Sequence, residues 1–386
     1  MKRIVICCDG TWNRLSAPQL TNVVKFSELV APRDAEGTLQ IVYYDEGVGT
    51  GHATARWLDT ILGGMFGIGL MANVMEAYRF LVFNYELGDE IYILGFSRGA
   101  YTARSLGGMI RNCGIIRRQS AHKIADAEKL YRSRDPDAHP DRWQSLEFRE
   151  KYAPQMYLND EEFVWRKKRS PQITRETCQK LKIRFIGVWD TVGALGVPNH
   201  LWIAKWFNGD KQFHDPRLSS TVERAAHAVA IDERRKTFPP RLWSNIDDLN
   251  GTEGESFYQQ VWFPGDHGSV GGGGERTGLS DNALAWMADQ SKRAGLAFLE
   301  APLSAIRSGA DYRTALKNTD RVGFFGRIFQ ILPKADRTGP DRIVWLSNFA
   351  KQRVLESPEN LPEKRDYRPG ALRPLIEFIM RENSDV

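Results

Sequence analysis

Short apolar runs alternate along much of this chain with stretches in which apolar residues recur every three or four positions. Residues 4–8 (IVICC) form an unbroken apolar run, the pattern of a parallel strand covered on both faces. Residues 39–44, 90–96, 181–189, 227–231 and 257–263 read as further strands. Thr21 stands where a helix N-cap belongs, ahead of Val23, Phe26, Leu29 and Val30 on one helical face. Helical spacing also covers residues 70–87, 98–112 and 280–293, and a last helix is expected over 372–381. Strands and helices in alternation predict an α/β fold with a mostly parallel central sheet and helices on both faces.

Two stretches break the rhythm. Residues 121–180 are charged, rich in Arg, Asp and Trp, and free of glycine, and are expected to form a mainly helical insertion over one edge of the sheet. Residues from about 196 to 225 form a second insertion, more aromatic, with Trp202, Trp206 and Phe207. A C-terminal extension begins near residue 321. The reading is one domain over 1–386 carrying these additions, since α/β folds of this length are often single units. No internal repeat or low-complexity tract interrupts it.

Composition narrows the function classes. A net charge of +5 is too mild, and its basic residues too scattered, for a nucleic-acid binder. The basic groups Arg117–Arg118, 166–169 and 234–236 read as solvated faces, with weak peripheral contact to anionic lipid as the lesser alternative. The cysteines Cys7, Cys8, Cys113 and Cys178 show neither metal-ligand spacing nor a disulfide framework. The N-terminus lacks a signal-peptide pattern, and no apolar stretch is long enough to span a bilayer, so cytoplasmic synthesis is expected, with export by a signal-independent route left open.

The sharpest chemical signal is Gly95-Phe96-Ser97-Arg98-Gly99, a G-x-S-x-G motif between a strand and a helix. That context defines a nucleophile elbow: the serine projects from a tight turn, the glycines make room, and the helix N-terminus favours an oxyanion. Ser97 is therefore the candidate nucleophile. The alternative is an inert serine in a glycine-packed turn. Asp190 directly follows the strand 181–189, at the sheet edge where such sites lie, and is the candidate acid; its alternative role is a helix N-cap. Of seven histidines, His267 sits on a glycine-rich loop after a late strand and is the candidate base, its alternative being a histidine that serves only a turn, whereas His227 begins a strand and suits a core or surface role. The backbone N–H of Arg98 is one candidate oxyanion donor, and that of Gly10 or Thr11, after the first strand, the other. Asp9 raises a second chemistry, a metal-dependent phosphatase, but the general acid two positions on is replaced by Thr11. Asp9 reads better as a brace that accepts hydrogen bonds from loop amides.

Five segments in order, IVICCDGTWN (4–13), YDEGVGT (44–50), GFSRGA (95–100), GVWDTV (187–192) and the stretch 262–273, resemble the uncharacterised α/β-hydrolase domain that forms the catalytic part of type VI secretion phospholipase effectors. The resemblance spans about 2–293. It implies an α/β-hydrolase-like fold, a Ser97–Asp190–His267 triad, no metal or organic cofactor, and lipid or phospholipid esters as substrates. The chain departs from the family pattern after His267, where Ser269 replaces a usual aspartate. Its end at Val386 is read as leaving little room for an added membrane-targeting module. The expected function is ester hydrolysis through an acyl-enzyme on Ser97; Trp202, Trp206 and Phe207 either pack their insertion onto the body or form an apolar lid over Ser97 that binds the acyl chain. A non-catalytic binding protein on the same scaffold is the rival.

Overall fold

The computed structural model describes residues 1–10, 17–47, 65–192, 216–236, 238–251, 256–318 and 333–382. Six strands form the main sheet: β1 (Arg3–Cys8), β2 (Gln40–Asp45), β3 (Glu90–Phe96), β6 (Phe185–Trp189), β7 (Ala225–Ala230) and β8 (Tyr258–Phe263). Their spatial order is β2-β1-β3-β6-β7-β8, and every pairing is parallel. The intervening β4 (Met156–Tyr157) and β5 (Gln179–Lys180) form a separate two-stranded parallel sheet that the apolar pattern does not announce. The result is an α/β-hydrolase-like architecture. No helix among the described residues is long and apolar enough to cross a membrane.

The unbroken apolar runs lie where both faces of the sheet are covered. Ile4, Val5, Ile6, Cys7 and Cys8 are all fully buried in β1. Helix Asn22–Leu29 packs against helix Gly278–Arg293 on one face, and helices Met65–Asn84 and Arg98–Cys113 pack together on the other. This placement follows from right-handed crossovers: the chain steps from β1 outward to β2, then back across β1 to β3, and the two connecting helices fall on opposite faces. The switch in direction lies between β1 and β3, where the C-terminal ends of the strands open a crevice. The four cysteines are buried and free.

Local chemistry sets several boundaries. The Thr21 side chain accepts the Val24 N–H at 3.3 Å, so the expected cap starts its helix. β3 spans the expected residues, and the following helix begins at Arg98. β6 starts four residues later than the apolar run, because Leu181 and Ile183 are buried by other means: the Leu181 N–H donates to Tyr157, and Ile183 bridges Val222. Helices Ile246–Asn250, Glu300–Gly309 and Asn348–Leu355 are not foreseen from the pattern.

The 121–180 stretch carries helices Ile124–Arg132, Trp143–Tyr152 and Asp160–Arg169. It does not cover a sheet edge. It packs on helix Arg98–Cys113, which itself lies over β3 and β6 in the middle of the sheet. Arg149 explains the docking: it donates to the Asn112 and Arg111 carbonyls at 2.7 and 3.4 Å, which the end of that helix leaves without intrahelical partners. Its charge is balanced by Glu162, which also pairs with Arg166; all three side chains are fully buried. The second insertion, with Trp202, Trp206 and Phe207, lies outside the described residues for most of its length.

Candidate active site

β3 ends at Phe96, and Ser97 turns the chain into the helix with φ 57° and ψ −118°. Such a backbone is costly for a residue with a Cβ and persists only where its surroundings enforce it. Two constraints do so. The Ser97 N–H continues the ladder by donating to Trp189 of β6 at 3.0 Å. The helix is also drawn hard onto β1: a Cβ on Gly99 would stand 2.1 Å from the Cys8 carbonyl oxygen, and one on Gly95 would stand 2.3 Å from that of Gly99. Both glycines of the motif are thus required by contact. The Ser97 hydroxyl is carried above the C-terminal edge of the sheet, at the N-terminus of a 16-residue helix.

His267 and Asp190 reach that hydroxyl from the ends of β8 and β6. Ser97 Oγ lies 2.8 Å from His267 Nε2, and His267 Nδ1 lies 2.6 Å from Asp190 Oδ2. With Nδ1–H donated to the carboxylate, Nε2 is the acceptor for the serine proton. The imidazole is fixed by aromatic neighbours: Phe96 lies 4.7 Å and Phe238 5.4 Å away, centroid to centroid. The glycine-rich stretch after His267 serves that packing, since a Cβ on Gly271 would fall 2.0 Å from the Phe96 ring. Gly272 and Gly273, at φ 81° and 86°, then turn the chain in the left-handed region. The Ser269 N–H donates to Asp266 at 3.0 Å and its hydroxyl to the Leu316 carbonyl at 2.7 Å, which ties the histidine turn to the later chain.

Asp190 is fully buried, with φ 37°. Among the described residues its carboxylate takes four hydrogen bonds. Oδ1 accepts the Ala230 N–H at 2.9 Å and Arg337 Nη1 at 2.6 Å; Oδ2 accepts His267 and Arg337 Nη2 at 3.0 Å. Burial pushes this carboxyl upward, but Arg337 and His267 outweigh it and hold it well below the usual carboxylate range. The N-cap alternative turns on the segment after Val192, which lies outside the described residues. Sequence reasoning missed Arg337. It sits 70 positions past His267 in the short charged run Lys334-Ala-Asp-Arg337, with no motif around it.

His227 lies in the core beneath. Its Nε2 accepts the Thr191 N–H at 3.2 Å and its ring packs on Trp243. Burial, reinforced by Arg104, lowers its pKa to about 3, so it is neutral and holds the turn after Asp190. Asp9 braces the loop after β1: its carboxylate accepts the Gly10 N–H at 2.6 Å, the Thr21 hydroxyl at 2.5 Å and the Tyr44 hydroxyl at 2.9 Å. The first two sequence motifs meet in that cluster. The Gly10 N–H, offered to an oxyanion by the sequence reading, is here directed to Asp9 Oδ1; Thr11 lies outside the described residues. Arg98, the first residue of its helix, has one of the N–H groups that no intrahelical carbonyl reaches.

Residues 2–290 match the family described as type VI secretion system (T6SS), phospholipase effector Tle1-like, catalytic domain. The uncharacterized protein YEL023C of Saccharomyces cerevisiae is 30% identical over 247 residues, 61% of this chain and 32% of that protein. The chain thus spans about a third of the length of this curated relative. Among solved structures, an uncharacterized protein from Pseudomonas aeruginosa aligns with TM-score 0.40 and 18% identity, over 80% of this chain and 48% of that one. The Tle1 effector bound to the VgrG spike of the type VI secretion system aligns with TM-score 0.35 and 17% identity, over 70% and 51%. The family match takes in 289 of 386 residues and every one of the five sequence motifs, and the chain belongs to the Tle1-like phospholipase effector catalytic-domain family.

Proposed function

We propose that the chain hydrolyses carboxylic esters of lipids, phospholipids foremost, through an acyl-enzyme on Ser97. The observation that carries this reading is the unbroken chain of contacts from Ser97 Oγ through His267 to Asp190, at 2.8 and 2.6 Å, with the serine on a strained elbow. The lipid substrate class is supported by the family. Ser97 Oγ attacks the acyl carbonyl as its proton passes to His267 Nε2. The tetrahedral oxyanion forms beside the helix N-terminus, where the Arg98 N–H is one donor and the loop after β1, through Thr11 or Gly10, supplies the second. For Gly10 to serve, its N–H must turn from Asp9. The ester C–O bond breaks, and the alcohol takes the proton from His267. Water then repeats the sequence to release the fatty acid.

A fluorophosphonate probe tests the nucleophile. Intact protein gains one adduct, mapped to Ser97, and the Ser97→Ala protein gains none; labelling of the Ser97→Ala protein removes the assignment. Where the acyl chain lies is tested separately. In the proposal, Trp202, Trp206 and Phe207 receive it, and each methylene buried there contributes up to about 0.8 kcal/mol of binding. Replacing Trp206 and Phe207 by Ala then lowers kcat/KM for long-chain esters far more than for acetate esters. An equal loss at all chain lengths, with a lower Tm, makes these residues structural.

A further inference from the structure

Arg337 is the feature of the site that neither the motifs nor the family match accounts for, since it lies 47 positions beyond the matched segment. All four Nη hydrogens of its guanidinium are matched: two to the Asp190 carboxylate oxygens, one to the Ala230 carbonyl at 2.8 Å and one to the Phe238 carbonyl at 2.7 Å. Its side chain is 4% exposed, against 0% for Asp190. The backbone that delivers it is strapped down. The Ala335 N–H donates to the Arg234 carbonyl at 2.8 Å, the Lys236 N–H to that of Pro333 at 3.1 Å, and Asp336 pairs with Arg234 at 2.7 Å. Gly370 lets the strap close, because a Cβ there would meet the Asp336 carboxylate at 2.0 Å.

Building on the serine-hydrolase reading, we propose that Arg337 is a positioning residue for the Ser97 reaction, fixing the angle of the Asp190 carboxylate and drawing off part of its charge. Two donors share Oδ2: His267 Nδ1 and Arg337 Nη2. Whatever negative charge the guanidinium takes up is not available to stabilise a protonated imidazole. The strap therefore sets how far into acid the base keeps working, while the bidentate fork keeps the carboxylate from rotating out of line with the ring. The other charged groups around His267 are accounted for. Asp266 precedes it and caps its turn; Glu233, after β7, is paired with Arg235 at 2.5 Å. His227, neutral, and Arg104 lie behind Asp190. Arg337 is the guanidinium that grips both oxygens of Asp190.

The test uses Arg337→Met and Arg337→Lys in the full chain. The rate of fluorophosphonate labelling at Ser97 and kcat/KM for a soluble ester are measured from pH 5 to 9, with Tm recorded alongside. In Arg337→Met the acidic limb of both profiles moves about one pH unit toward alkali, since the imidazolium no longer shares the carboxylate with a guanidinium. The plateau falls about ten- to hundredfold as the carboxylate loses its fixed angle. Arg337→Lys, which keeps the charge but not the fork, moves the limb less and still lowers the plateau. Limbs that coincide with the parent protein in both variants, even with lower plateaus and Tm, overturn the proposal and leave a merely structural strap. If the Arg337→Met protein does not fold, the Arg337→Lys protein decides by the same comparison. Failure of the parent protein to label at Ser97 overturns the serine reading itself, and this role with it.

Discussion

His267→Ala lowers kcat for ester hydrolysis about 10⁶-fold, Asp190→Asn about 10⁴-fold, and adding Ser97→Ala to either lowers it little further. The non-additivity is the core of the expectation. Serine without an acceptor at 2.8 Å is a neutral alcohol, and an acceptor without its serine has nothing to deprotonate. Asp190→Asn acts more indirectly. An amide can place its oxygen toward Arg337 and its NH₂ toward His267, and Nδ1 must then accept. The ring proton moves to Nε2, which can no longer take the Ser97 proton. The amide also leaves the buried guanidinium without its counter-ion, so a fall in Tm accompanies the loss of rate. Initial rates on a p-nitrophenyl ester, with the single and double variants at equal folded concentration, decide it. A large loss in His227→Ala with a mild one in His267→Ala would show the assignment of the base to be mistaken. His227 already spends its Nε2 on the Thr191 N–H, which argues against that outcome.

Glu162→Gln destabilises the protein by about 3–5 kcal/mol, the largest stability effect expected of a single isosteric change here. Glu162 accepts from Arg149 at 3.2 and 2.7 Å, from Arg166, and from the Leu158 N–H at 2.9 Å. Both guanidinium groups are completely buried. With glutamine in place the volume is unchanged, but two cations share an interior site that holds no formal negative charge from that side chain. Their desolvation, which the Glu162 carboxylate offsets, is then uncompensated. Chemical denaturation reads the loss directly, and limited proteolysis should locate it between residues 118 and 180, where the insertion loses its hold on helix Arg98–Cys113. A change below about 1 kcal/mol would mean that water reaches the arginines. Replacing all three residues by apolar ones of similar size should cost far less than the single change, because no charge is then left behind.

The two predictions draw on residues of different legibility. Ser97 is readable because a nucleophile elbow imposes glycine at two fixed offsets, and contact with Cys8 and Gly99 shows why. Asp190 and His267 are readable because strand ends, not side-chain neighbours, place them, and strand ends show in the apolar pattern. The Thr21 cap and the buried β1 follow from local rules of the same kind. What escapes is long-range. Arg149, Glu162 and Arg166 look like ordinary surface charges in a charged segment, and only the packing of three helices removes them from water. Arg337 is one of several basic residues in a polar run, and its partner is 147 positions away. The position of the insertion over helix Arg98–Cys113 is equally hidden, since apolar spacing tells which face of an element is buried but not against what. β4 and β5 are two residues each, too short for any period to show.

The distance between Asp190 and Arg337 also orders events in time. A ribosome adds about 5–20 residues per second, so Asp190 leads Arg337 by about 7–30 s of synthesis. Ser97, Asp190 and His267 have all been made before the strap exists. Until it arrives, burying the end of β6 would put a carboxylate out of water with no guanidinium to meet it, and the favourable states of the nascent chain keep that end open or protonated. The segment that carries Arg337 is thus made after Ser97, Asp190 and His267, and it is the one that lets the end of β6 close.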